Sequence, residues 1–75
     1  MIKYKIDIMK ALKAKGFTAK RIRDEKLLSQ ITITNIKRGG DVNTETINRI
    51  CIMLRCQPGD ILEVVPTDDE KIRFF

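Results

Sequence analysis

Apolar residues recur along this chain at two spacings, and the switch between them marks out its elements. From Met1 to Ile6 the spacing is two: Ile2, Tyr4 and Ile6 flank Lys3 and Lys5, which predicts a short extended arm or strand. From Asp7 onward it becomes helical. Asp7 is placed to cap a helix over Ile8–Lys15 with the stripe Ile8, Ala11 and Leu12. Lysines load the end of that helix, and Gly16 supplies a left-handed stop. Thr18 caps a second helix, Ala19 to about Lys26, whose one strong apolar residue is Ile22. Leu27-Leu28 is an apolar connection, and Ser29 caps the segment after it. Beyond a Gly39-Gly40-Asp41 turn, Asn43 caps a helix through Leu54, with Glu45 in its first turn. Ile47, Ile50, Cys51 and Leu54 stand there at i, i+3, i+4 and i+7, the cleanest helical pattern in the chain. Gln57-Pro58-Gly59-Asp60 breaks it, and Pro58 suits the first position of a short final turn containing Ile61 and Leu62. Pro66 to Glu70 reads as a polar linker, and Lys71-Ile-Arg-Phe-Phe alternates again. There is no internal repeat and no low-complexity tract.

One segment is open to two readings. Ile31-Thr32-Ile33-Thr34 alternates β-branched residues, and two glycines follow at Gly39-Gly40, as in the first arm of a hairpin. Propensity favours the strand, because β-branched side chains lose rotamer freedom in a helix. The helical reading pairs Ile33 with Ile36 and leaves Ile31 and Asn35 on the opposite face. It gains weight from the helices on either side and from the dominance of packing over propensity.

Seventy-five residues make one domain, near the lower limit for a core without staples. Cys51 and Cys56 are too few for a disulfide scaffold, and five positions apart they would lie on different faces of a continuous helix. They read as reduced, packing cysteines. With no histidine, neither a zinc site nor a catalytic constellation assembles, and Asp68-Asp69-Glu70 reads as solvated linker. No enzyme activity, metal or cofactor is expected. No apolar run reaches membrane-spanning length and no signal-peptide core opens the chain, so a soluble, cytoplasmic protein without membrane partners is expected.

The net charge of +5 is strongly polarised. Residues 1–40 hold eleven Lys/Arg against three acids, whereas residues 41–75 hold four against seven. A basic half joined to an acidic half suggests a polyanion-binding face on a module with another role at its far end.

From Ile8 to about Val64 the chain resembles the Xre family of lambda-repressor-like helix-turn-helix regulators, in particular its small stand-alone members. Thr18-Ala-Lys-Arg-Ile-Arg is similar to the start of that family's second helix. Leu28 to Gly39 is similar to its turn, recognition helix and stop. Thr46 to Glu63, with both cysteines and the Pro58-Gly59-Asp60 entry to helix five, is the most specific match. The resemblance implies an all-α, five-helix domain over residues 1–65, with short terminal strands allowed. It also implies that the contested segment is a helix over about residues 30–38, lying in the major groove of double-stranded DNA.

Carried over by position, the resemblance places Gln30, Ile31, Thr34 and Asn35 against base edges. Amides suit adenine, and Ile31 suits a thymine methyl unless it is buried against the preceding turn or a second chain. Ala19, Lys20, Arg21, Ser29, Lys37 and Arg38 are the expected phosphate contacts, with Lys3, Lys5 and Lys10 behind them. Ile33 and Ile36 are expected in the core. Two residues depart from the family pattern. Arg23 stands where a small Ala is usual, which implies a changed crossing of helices two and three. Leu27 stands where the turn Gly is usual, at a cost of roughly 1–2 kcal/mol if the turn keeps its left-handed form.

The implied function is sequence-specific transcriptional regulation, repression before activation, by a homodimer. The dimer contact is expected in the second half, with Lys71–Phe75 as a strand pairing with Met1–Ile6 or with its counterpart in a partner subunit; the alternative is a frayed tail. The rival is a protein-interaction module, antirepressor or antitoxin-like, that keeps the fold without binding DNA. RNA is a weaker alternative, since no aromatic stacking platform is evident.

Overall fold

The computed structural model describes residues 1–75. Six helices and two short strands follow in the order β1 (Ile2–Tyr4), α1 (Ile8–Ala14), α2 (Ala19–Asp24), α3 (Gln30–Lys37), α4 (Thr44–Leu54), α5 (Pro58–Ile61), β2 (Leu62–Val64) and α6 (Asp68–Phe74). The contested segment is helical, and so the propensity for strand is overridden. Ile33 and Ile36 lie on its inner face and join Ile8, Leu12, Ile22, Leu28, Ile50, Cys51, Leu54 and Ile61 in one core. No helix is long and apolar enough to cross a membrane.

The N-caps are those the sequence marks. Asp7, Thr18, Ser29 and Asn43 each accept the backbone N–H three residues on, at Lys10, Arg21, Thr32 and Thr46. The helix ends share one device. At the ends of α1 to α4 a left-handed residue, Gly16, Lys26, Gly39 or Arg55, follows the last helical turn. The next residue's N–H then bonds back five positions: Phe17 to Leu12, Leu27 to Ile22, Gly40 to Asn35, Cys56 to Cys51. These are Schellman stops, whose side chains at the two bonded positions commonly touch.

Two expectations change here. The left-handed residue after α2 is Lys26 (φ 54°), one position before Leu27. Leu27 instead turns inward and packs against the core. Cys51 and Cys56 are neighbours after all, because the helix does not continue: Arg55 (φ 55°) reverses the chain and lays Cys56 back over Cys51. Burial first, then the adjacent Cys56, pushes the Cys51 thiol up, which keeps it neutral in the core. Because a left-handed non-glycine costs about 1–2 kcal/mol, Arg55→Gly is expected to raise stability by about 0.5–1 kcal/mol net of glycine's extra chain entropy. A thermal melt should move up by roughly 2–8 °C; an unchanged or lower midpoint would remove the strain assignment.

The end of the chain departs most from expectation. β1 pairs with β2, antiparallel, with Ile2 opposite Val64 and Tyr4 opposite Leu62. Asp68–Phe74 is a sixth helix, where a polar linker and a strand or frayed tail were expected. Its start is a capping box: Thr67 accepts the Glu70 N–H, and the Glu70 carboxylate accepts the Thr67 N–H. Glu70 also takes the Met1 ammonium, and these bonds, the ammonium first, hold its carboxyl down to about 2.

Candidate nucleic-acid interface

The interface is built around α3. Its core-facing residues, Ile33 and Ile36, anchor it so that Gln30, Ile31 and Thr34 face solvent and Asn35 is half-buried at the edge. Ile31 is 76% exposed, so it is not buried against the preceding turn. The Thr34 hydroxyl donates to the Gln30 carbonyl (2.9 Å), which leaves its oxygen free to accept from a base amine. Ser29 is spent on capping, accepting the Thr32 N–H at 3.1 Å and donating to the Thr32 hydroxyl at 2.9 Å.

One contact was not foreseeable from residue types. Arg38 donates through Nη2 to Asn35 Oδ1 at 2.7 Å. The guanidinium thus uses one lone pair of the amide oxygen and leaves the other, together with the two Nδ2 protons, without a partner in the chain. That is the donor–acceptor pair that an adenine edge requires.

The two ends of α3 open into grooves of unlike lining. The first, about 430 Å³, lies at the N-terminal end and is bordered by Arg23, Lys26, Ser29, Gln30 and Arg49. The second, about 420 Å³, lies at the C-terminal end and is bordered by Lys37, Arg38, Tyr4 and Asp7. Arg23, Lys26 and Arg49 were not among the expected backbone contacts. The first two were legible as a basic helix surface, whereas Arg49 reaches this groove only through tertiary packing, its Nη1 donating to the Leu27 carbonyl at 3.2 Å. Arg23 fills the place of the usual small residue by turning outward; the inward position of α2 is taken by Ile22.

The expected phosphate contacts fall into two groups. Lys20, Lys37 and Arg38 carry no ion pair. Arg21, by contrast, is engaged within the chain: Nε donates to Glu25 at 2.8 Å, Nη1 to the Gly16 carbonyl at 3.4 Å, and the guanidinium lies 4.5 Å from the Phe17 ring centre. Ala19 is the first residue of α2, and its N–H points out of the helix start beside the Thr18 cap.

The turn after α3 is tied to the start of the chain. The Tyr4 hydroxyl donates to the Gly40 carbonyl at 2.7 Å, and burial, then Asp41, raises its pKa and keeps that proton in place. β1 therefore braces the C-terminal end of α3.

Comparison with curated proteins and with solved structures gives no match. A family model does match, the Cro/C1-type HTH DNA-binding domain, over residues 7–67. That span runs from the cap of α1 to the cap of α6 and takes in the outward face of α3 and the groove at its N-terminal end; the other groove also borrows Tyr4 from β1, outside the span. The chain therefore belongs to the Cro/C1-type helix-turn-helix DNA-binding domain family.

Proposed function

We propose that the protein is a sequence-specific regulator of transcription that acts as a repressor by occupying its operator as a homodimer. The observation that carries this reading is the outward face of α3, which exposes Gln30, Ile31 and Thr34 with Asn35 at its edge, together with the absence of any ion pair at Lys20, Lys37 and Arg38. In this reading α3 enters the major groove, and the four side chains meet base edges. Asn35 takes an adenine, oriented by Arg38; Ile31 takes a thymine methyl. Lys20, Lys37, Arg38 and the N–H groups of Ala19 and Ser29 hold the sugar-phosphate backbone on either side. Arg21 joins them only by giving up its bonds to Glu25 and Gly16. Residues 1–65 form the DNA-reading unit, and a cytoplasmic location follows from that role.

Selection of bound sites from random duplex DNA tests the reading. The expected product is a two-fold site with half-sites about one helical turn apart. If the three free cations each neutralise one phosphate per copy, log affinity of a half-site should fall against log salt with a slope of about −2.7. Recruitment of Arg21 would steepen it to about −3.6. No enrichment of any duplex at low salt would favour the protein-interaction role instead.

A further inference from the structure

The end of α3 that carries Asn35 and Arg38 stops on two glycines in succession, and the first of them, Gly39, takes the left-handed turn (φ 73°). Glycine has more conformational freedom to lose than any other residue, so such a stop keeps its shape only where other bonds hold it. Here three bonds of 2.7 Å meet. The Gly40 N–H donates to the Asn35 carbonyl, Arg38 Nη2 donates to Asn35 Oδ1, and the Tyr4 hydroxyl donates to the Gly40 carbonyl. A Cβ on Gly40 would lie 3.3 Å from the Asn35 carbonyl oxygen and 3.9 Å from Arg38 Nη2, so these residues already press on one another. Asn35 is thus gripped through both main chain and side chain.

The first two bonds are local, joining residues five and three positions apart. The third is not, and its donor is held independently of α3. Tyr4 stands opposite Leu62 in the sheet. The next N–H, that of Lys5, donates to the Ile61 carbonyl at 2.8 Å, and the Lys5 ammonium donates to the Gly59 carbonyl at 3.2 Å. Ile61 is buried in the core, so β1 is fastened to that core through α5. The half-buried Tyr4 ring packs against the same core. Its hydroxyl therefore fixes the Gly40 carbonyl from outside the helix whose end Gly40 closes. Tyr4 also borders the groove of Lys37 and Arg38, which makes direct contact with a phosphate the competing role.

We infer that Tyr4 is a positioning residue for base reading: acting through Gly40, it fixes the orientation in which Asn35 meets its base, without itself touching DNA. This rests on the proposed reading of Asn35 as a base contact. Tyr4→Phe tests it, since the ring stays and only the bond is lost. In the free protein, amide exchange at Gly40 should quicken by roughly 2- to 10-fold, the equivalent of one net hydrogen bond, with an unchanged helical spectrum. On DNA, discrimination at the Asn35 base should fall by roughly 2- to 30-fold, the range for residues that act on a site they do not touch. In an Asn35→Ala background the same replacement should leave base preference unchanged, because no amide remains to be positioned. A phosphate contact would instead lose affinity by one factor for every sequence, equally in both backgrounds, and that result overturns the inference. So does Gly40 exchange that fails to quicken. If Asn35→Ala itself leaves base preference intact, the reading of Asn35 has failed and the role of Tyr4 in base reading falls with it. That failure has its own signature: Tyr4→Phe then quickens Gly40 exchange with no effect at any base.

Discussion

Leu12→Ala is expected to leave a large fraction of the chain unfolded at physiological temperature. Leu12 is fully buried, and α1, which carries it, packs on both α3 and α4, so the methyls it loses come from the centre of the core. Leu→Ala at such sites costs about 2–5 kcal/mol, depending on how far the surroundings collapse. A domain of this size holds a total of only about 4–11 kcal/mol. A loss near 3 kcal/mol lowers the melting midpoint by roughly 12–24 °C, read by circular dichroism at matched protein concentration so that association does not confound it. The counterpart is Ile31→Ala. Its side chain is exposed, and alanine is the better helix former, so stability should hold or rise by a few tenths of a kcal/mol. DNA affinity should nonetheless fall at one base position. If Ile31→Ala melts well below the wild type, its side chain supports the fold and the assignment to a thymine methyl is lost.

The second large effect is expected at Asn35 and Arg38, and it is not additive. If Asn35 reads an adenine as proposed, Asn35→Ala should remove a bidentate base contact worth about 1–3 kcal/mol of discrimination, roughly 5- to 150-fold against the preferred site. A pure phosphate ligand at position 38 would lose affinity equally for all sequences and reduce the salt slope by about 0.9. The 2.7 Å bond from Arg38 to Asn35 adds a second consequence: without the guanidinium the amide is free to rotate, so Arg38→Ala should also relax the preference for adenine at the Asn35 position. Arg38→Lys restores the charge without the planar fork, and should recover general affinity while leaving that preference weak. A double-mutant cycle measured on the selected site and on one with that base changed separates the two effects. Coupling of about 0.5 kcal/mol or more is expected for residues in contact, and strict additivity would reduce Arg38 to a phosphate contact.

The residues that were legible in advance are those whose chemistry is local. Asp7, Thr18, Ser29 and Asn43 announce helix starts because a cap needs only its own side chain and an N–H three residues later. The Ile47–Leu54 stripe announces α4 because its period is long enough to measure, although Ile47 itself is only half-buried. Ile31 to Thr34 marks the limit of that approach: four residues of alternation favoured a strand, and only neighbouring helices and the family pattern argued otherwise. α6 was hidden for a related reason. Its Thr67–Glu70 capping box is a plain local signal, but Ile72 and Phe74 alternate and have no core to face, so the segment looked like a linker and a strand. The pairing of Ile2 with Val64, the touch of Cys56 on Cys51 and the reach of Arg49 toward Leu27 depend on where the chain turns, which no single window of residues contains.

Within the candidate site, the exposure of Gln30, Ile31 and Thr34 followed once the helix was granted, since Ile33 and Ile36 determine what lies opposite; Asn35, expected on that face too, is half-buried beside the turn that Gly40 closes. What did not follow was the internal use of groups that composition counts as free. Arg21 is a cation on paper but is bound to Glu25 and Gly16, and Ser29 spends its hydroxyl on Thr32. A list of basic residues overstates the charge that is ready to meet a polyanion.

The β1–β2 pairing has a further consequence, in the order in which the molecule assembles. Each helix stop closes over five residues, whereas Ile2 meets Val64 only after about sixty intervening residues are in place. Closing so long a loop costs entropy that only a formed core can offset, so the sheet is expected to form late and to open first, which amide hydrogen exchange at Tyr4 and Leu62 would read. The Tyr4–Gly40 bond, which spans 36 positions from β1 to the turn after α3, belongs to the same long-range closure.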